Sequence, residues 1–224
     1  TQWDLAIPGL LYKKIKDDFP NRKQRIIQDV ELKIGKQKIE PMVNPREQII
    51  FQNKDKKILI QVGNRLLAVN CLKPYPTWNI FQPLIISSLK KLSEVVKLTR
   101  IQRIGLRYIN RIEIAESQMK LEKYFKFKPD LGDQLPHNLG SFMLGCVLPF
   151  HEINADCDMK ITNAVPSEPN KHAFILDIDF YLKKHVNATI DDITKWIESA
   201  HDRVENIFEG CITDELRKTF MENA

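Results

Sequence analysis

The sequence predicts an α+β chain, with a mostly antiparallel sheet built from two pseudo-repeated strand–helix–three-strand–helix halves and two long helices packed on one face. Three observations lead there. Segments that alternate apolar and polar residues, the period of a half-buried strand, come in two series. Each series ends in a long stripe at helical spacing. The connectors Asn53-Lys-Asp-Lys56 and Gly63-Asn64 are short and polar, as hairpins require. Strands followed by a helix, twice over, argue for a sheet covered by helices.

Leu5 to Phe19 reads as a short amphipathic helix with Leu10, Leu11, Ile15 and Phe19 near helical spacing, stopped by Pro20. Gln24 to Ile34 alternates and is predicted as a strand, with Ile26, Gln28, Val30, Leu32 and Ile34 on one side. Gly35 to Pro45, with two prolines, reads as a linker. Short strands are predicted at Gln48–Gln52, Ile58–Val62 and Leu66–Leu72. Trp78, Phe81, Ile85, Leu89, Leu92 and Val96 then form the first helical stripe, with Pro83 arguing against an early start.

The second series opens with a long strand, Arg100 to Ala115, and a short helix, Met119 to Phe127. Strands follow at Ser141–Leu148, Asp156–Val165 and Ala173–Leu182. The clearest helix of the chain begins at Thr189, a good N-cap with Asp191 and Asp192 at the positive end of the helix dipole. Its buried stripe is Ile190, Ile193, Trp196, Ile197, Ala200, Val204, Ile207 and Phe208, and Gly210 is placed to end it. Thr213 to Met221 forms a last short helix. The two series match if a strand once preceded Thr1, so the expected plan is one domain, 1–224, with pseudo-halves 1–98 and 99–224 and an N-terminal strand missing from the sequence.

With 43% hydrophobic and 28% charged residues in 224, the chain has a globular composition. Its apolar runs fall short of the roughly 20 residues that cross a bilayer, and its first residues lack a secretory signal, so no membrane partner is expected. Cys71, Cys146, Cys157 and Cys211 form no C-x-x-C pair, which argues against zinc and for a reducing, cytoplasmic compartment. No activating context marks any of them as a nucleophile. Residues 1–128 hold 26 Lys and Arg against 12 Asp and Glu, whereas residues 129–224 hold 8 against 17. Such asymmetry suits a polyanion-binding half, two halves that attract each other, or a plain solvated surface.

The most unusual segment is Arg103-Ile-Gly-Leu-Arg-Tyr-Ile-Asn-Arg-Ile112. In a strand, Arg103, Gly105, Arg107, Ile109, Arg111 and Glu113 share one face. A row of arginines is an array of forked donors that never lose their charge, suited to carboxylates and phosphates. Downstream, Asp177 and Asp179 also share a face. If the two strands are neighbours, carboxylates and guanidiniums meet in a cross-strand ladder. Structurally the ladder sets register; functionally it is a polar groove in which Arg103, Arg107, Arg111, Asp177 and Asp179 bind an anionic ligand. The Asp-x-Asp pair lacks a third acidic ligand and must compete with the arginines, so no metal is expected, and no cofactor.

Taken together, the Arg103–Ile112 block, the Leu176-Asp-Ile-Asp179 segment, Tyr75-Pro-Thr-Trp78 and Ile212-Thr-Asp214 resemble a sporadically distributed family of uncharacterised prokaryotic proteins. That family has the R-x-G-L-R-Y-x-N-R-I block, a Tyr-x-x-Trp before its first long helix and a late I-T-D. Its members usually begin with an apolar strand containing P-x-x-E-A, which is absent here. The resemblance implies no activity, and its patchy distribution is similar to that of mobile or phage-defence genes.

Other signals are weaker. There is no G-x-G-x-x-G, P-loop, G-x-S-x-G or H-E-x-x-H. His137, His151, His172, His185 and His201 are dispersed and read as surface or structural residues. Tyr124, Phe125 and Phe127 interleave with Lys123, Lys126 and Lys128, which suits base stacking or a helix half in the core. The function expected is a non-catalytic binding or partner protein, a component of a prokaryotic defence or toxin–antitoxin locus, whose partner is another protein or a second copy of itself. The alternative is a nucleic-acid or nucleotide binder using the basic first half and the Arg103/Arg107/Arg111 row; a hydrolase ranks third.

Overall fold

The computed structural model describes residues 3–34, 39–98, 100–132, 134–135, 139–182 and 189–222. Gly35, His137 and His185 of the sequence reading lie outside these residues. The class is α+β with antiparallel pairing throughout the sheets, as expected. Among the described residues the strands divide into two four-stranded sheets, one in each of two units, residues 1–99 and 100–224.

In the first unit, α1 (Ile7–Ile15) precedes β1 (Asn21–Ile34), β2 (Ile39–Gln52), β3 (Ile58–Gly63), β4 (Leu66–Cys71) and α2 (Trp78–Ser93). The strands form a meander in the order β1-β2-β3-β4. Ile49 and Phe51 pair with Val62 and Ile60, and this face packs on Ile7, Leu11 and Ile15 of α1. Leu10, placed in the buried stripe by its spacing, is exposed instead. The predicted linker before Pro45 is largely strand. Over Ile39–Glu47, β2 pairs with β1 alone, so a proline whose missing N–H faces away from β1 loses no ladder bond. The hairpin turn is Asn64-Arg65 rather than Gly63-Asn64, since Gly63 still pairs with Leu66. A Cβ on Gly63 would stand 3.0 Å from the Glu47 carbonyl oxygen, which is why glycine occupies that strand end. The long helix α2 starts at Trp78 with Pro83 inside it, five residues after its first.

In the second unit, β5 (Ile104–Ile114) leads to α3 (Leu121–Tyr124), β6 (Met143–Phe150), a single 3-10 turn, β7 (Ala155–Ala164), β8 (His172–Leu182), α4 (Ile190–Cys211) and α5 (Asp214–Glu222). The sheet order is β5-β8-β7-β6. Each sheet is followed by a long helix, as the two series of the sequence lead one to expect, but the strand plans differ: the first unit is a four-strand meander after a short helix, whereas in the second β5 lies beside β8, the last strand of its unit. Thr189 caps α4 as predicted: its hydroxyl accepts from the Asp192 N–H, and the Asp192 carboxylate accepts from the Thr189 N–H. The helix runs past Gly210 and ends at extended Ile212. Ile193, Ile197, Ala200 and Val204 of α4 are buried, as are Met159, Ile161, Leu176, Ile178 and Phe180 of the sheet. Asn110, the polar break on the apolar side of β5, donates its amide to the Leu176 carbonyl at 3.2 Å.

Candidate functional site

The alternation of β5, β8 and β7 places two different chemistries on the two faces of one sheet. Even-numbered residues of β5 and β8, and odd ones of β7, form the apolar face. The opposite face carries Arg107, Ile109, Arg111 and Glu113 of β5, Asp177, Asp179 and Tyr181 of β8, and Asp156, Asp158 and Lys160 of β7. Arg103 lies just ahead of β5 and extends the row.

The predicted ladder is there, and it runs diagonally. Arg107 is registered opposite Asp179 but forms a two-pronged pair with Asp177, Nε to Oδ1 at 2.8 Å and Nη2 to Oδ2 at 2.5 Å. Arg103 reaches Asp179, with Nη2 2.9 Å from Oδ1 and 2.8 Å from Oδ2. To do so it lies over Gly105 and against the Tyr181 ring, 4.5 Å from its centroid. A Cβ on Gly105 would meet Nη1 of Arg103 at 3.0 Å, so the glycine leaves the floor on which this arginine rests. The Asp177 hydrogen bond raises the Arg107 pKa above its ordinary value, and the nearby carboxylates reinforce it.

Arg111 departs from the expected pattern. It bonds Glu113 of its own strand, Nε at 3.0 Å and Nη2 at 2.6 Å, and donates to the Val165 carbonyl at 2.6 Å. Glu113 also accepts from the Ser167 hydroxyl and from the Ser167 N–H at 3.1 Å. The pair therefore ties the β7–β8 connection to the end of β5. Of the five residues named in advance, the structure brings Arg103, Arg107, Asp177 and Asp179 together and gives Arg111 a separate clamp.

Sequence reasoning missed the contribution of β7. Asp158 stands directly opposite Asp179, a like-charge pair that destabilises unless neutralised. Lys160 takes Asp158 at 2.7 Å, and its pKa rises through that hydrogen bond, while Arg103 takes Asp179. The signal was available: Asp156, Asp158 and Lys160 share a parity in a strand already predicted.

The charge on this face is held in a definite arrangement. The arginines are outermost, with Arg103 and Arg107 side chains about half exposed, while the Asp177 side chain is only 14% exposed. Four cations, Arg103, Arg107, Arg111 and Lys160, share the face with five anions, Asp156, Asp158, Asp177, Asp179 and Glu113. Apolar residues share the face: Ile109, among the arginines, is 47% exposed, and Val147 and Met143, on edge strand β6, are 53% and 73% exposed. Among the described residues no group of three or more His, Cys, Asp and Glu is placed to hold a metal ion. Both aspartates of the Asp-x-Asp pair are engaged by arginine instead.

The cysteines do not join this face as reactive groups. Burial pushes the Cys157 thiol up to about 12 and the Cys211 thiol up to about 11, and raises those of Cys71 and Cys146. They stay protonated at neutral pH, the inert form of a core thiol. Tyr124 and Phe125 are buried rather than offered to bases, while Lys123 and Lys126 face solvent. No described helix is long and apolar enough to cross a membrane.

The Glu113 clamp makes a pH prediction. Hydrogen bonds from Ser167 and then Arg111 lower its carboxyl from 4.5 to about 2. A carboxyl depressed by folding stabilises the fold above its unfolded pKa, and that contribution is lost as pH falls toward the folded value. Glu113→Gln is therefore expected to lower the unfolding midpoint at pH 7. The deficit against wild type should shrink as pH falls from about 4.5 toward 2. Thermal unfolding of both proteins across that range checks it; a deficit constant with pH would contradict the clamp.

No family model, curated protein or solved structure matches the chain.

Proposed function

We propose that the chain is a non-catalytic binding protein that docks a protein partner on the open face of the β5-β8-β7-β6 sheet. The observation that carries this reading is the face itself. Preorganised arginine–carboxylate pairs on β5 and β8 surround exposed Ile109, and exposed Val147 and Met143 line the β6 edge of the same face. The carboxylates hold the guanidiniums in place before a partner arrives, which lowers the entropy cost of binding. Each pair leaves donors on the arginine outside the salt bridge, suited to backbone carbonyls and carboxylates of a partner. The apolar residues of this face supply the water-excluding part of a mixed protein interface.

The balance of charge speaks against nucleic acid on this face. Five anions, Asp156 among them, outnumber the four cations, so a phosphate backbone gains no net attraction. The excess of positive charge lies in residues 1–99, with 18 Lys and Arg against 9 Asp and Glu. The family resemblance adds a setting for a partner protein, a prokaryotic defence or toxin–antitoxin locus.

The test is affinity capture from the source cell with wild type, Ile109→Asp, Arg107→Glu and, as a control on exposed α4, Glu205→Lys. One protein retained by wild type and control and lost from both face variants is the expected result. Capture indifferent to the face variants overturns the reading. So does tight single-stranded oligonucleotide binding at low salt that falls when Arg103 and Arg107 become alanine.

A further inference from the structure

The edge strand β6 points to a second copy of this chain. It reads Met143-Leu-Gly-Cys-Val-Leu-Pro-Phe150 and carries no charge. Edge strands normally carry lysine, proline, a bulge or an inward charge to prevent pairing with another chain, and here Pro149 blunts only the C-terminal end of β6. Here Met143, Gly145, Val147, Leu148 and Pro149 are all exposed.

Two residues settle which backbone groups of β6 face away from β7. Pro149, opposite Asp156, has no N–H to give to β7, so it occupies a position whose ladder groups point outward. Phe142 sends its N–H to the Asn163 side chain at 3.0 Å, so even-numbered residues point toward β7. Met143, Gly145 and Val147 therefore present their N–H and C=O groups to the open edge.

We propose that β6 pairs antiparallel with β6 of a second copy about a two-fold axis at Gly145, making an eight-stranded sheet. In this register Gly145 faces Gly145 of the partner subunit, and Met143 faces Val147 of the partner subunit. All three outward N–H groups and their carbonyls are used on both copies, and Pro149 falls outside the paired segment. The side chains brought together are apolar on one face, Met143 with Val147, and apolar on the other, Leu144 with Cys146. Asp158 is registered to Val147 and Lys160 to Gly145, so each charge stays a strand behind the new seam. The strand is self-complementary about that point, as an isologous contact requires. The open face is then continuous across both copies. The inference rests on β6 and does not need the partner reading above.

Light scattering over a concentration series is the first measurement, with a mass twice the 26.2 kDa chain expected at the upper end. Gly145→Asp tests the axis. A Cβ there meets Lys160 Cγ at 3.4 Å, an ordinary contact, and the carboxylate suits Lys160 within one copy. Across the axis two aspartates oppose each other, and the dissociation constant is expected to rise at least tenfold. Gly145→Cys is the second variant: mild oxidation should link the copies through residue 145 itself, found by peptide mapping and absent from wild type. A protein monomeric at every concentration overturns the proposal. So does a dimer that Gly145→Asp leaves intact and Gly145→Cys does not link.

Discussion

Phe180→Ala should destabilise the second unit by about 3–5 kcal/mol, a large part of the roughly 5–15 kcal/mol that holds a domain folded. The ring is 1% exposed on β8, which is flanked by β5 and β7. It meets Phe150 edge-on with centroids 5.3 Å apart and stacks on Trp196 of α4 at 6.0 Å. Leu106 and Cys157 are its cross-strand neighbours. Truncation leaves a void between sheet and helix whose walls are fixed by close packing, so little of it can collapse. Ile109→Ala on the opposite face of the same sheet supplies the contrast. It removes a side chain already 47% exposed and should shift stability by no more than about 0.5 kcal/mol. Urea unfolding of the two variants checks the pair. Equal shifts would mean that the open face is packed as the helix face is.

That contrast also explains what the sequence made legible. β8 was readable because Phe174, Leu176, Ile178 and Phe180 alternate with partly exposed residues, and the pleat leaves no other arrangement. The same parity placed Asp177 and Asp179 beside the arginines. What parity does not carry is direction along the strand. Arg103 and Arg107 both reach toward the C-terminal end of β5, so Arg107 misses Asp179, registered opposite it, and takes Asp177, while Arg103, ahead of the strand, takes Asp179. Arg111, at the end of the row, has no aspartate in reach of that lean and settles on Glu113. The division into two sheets was equally invisible, because alternation says which face a residue occupies and nothing about which strand lies beside it. The strand over Ile39–Glu47 was hidden by Pro41 and Pro45, which argue against a central strand but not against one paired on a single side.

The second large effect is expected at Phe125, and it separates packing from nucleic-acid binding in the Lys123–Lys128 segment. By sequence the segment suits base stacking. In the fold α3 ends at Tyr124, and Phe125 turns inward, 1% exposed, with its ring 5.2 Å from that of Phe174 and nearly edge-on. Its backbone bridges Ile212. Around it the chain end is sewn down: Lys126 N–H donates to the Cys211 carbonyl at 2.8 Å, Thr213 N–H to the Tyr124 carbonyl at 3.0 Å, and the Thr213 hydroxyl to the Lys123 carbonyl at 2.6 Å. These bonds close over an apolar patch that includes Ile212 and Leu216, both 0% exposed. Phe125→Ala should cost about 3–5 kcal/mol. Amide exchange at Cys211–Arg217 should rise first, because those bonds lose the ring that shields them. Lys126→Ala, at an exposed position, should change stability by less than about 0.5 kcal/mol. Stacking on a base needs an accessible ring, so neither substitution is expected to alter oligonucleotide affinity at low salt. A Phe125→Ala protein as stable as wild type but with weakened oligonucleotide binding would reverse the assignment and return this segment to the nucleic-acid reading.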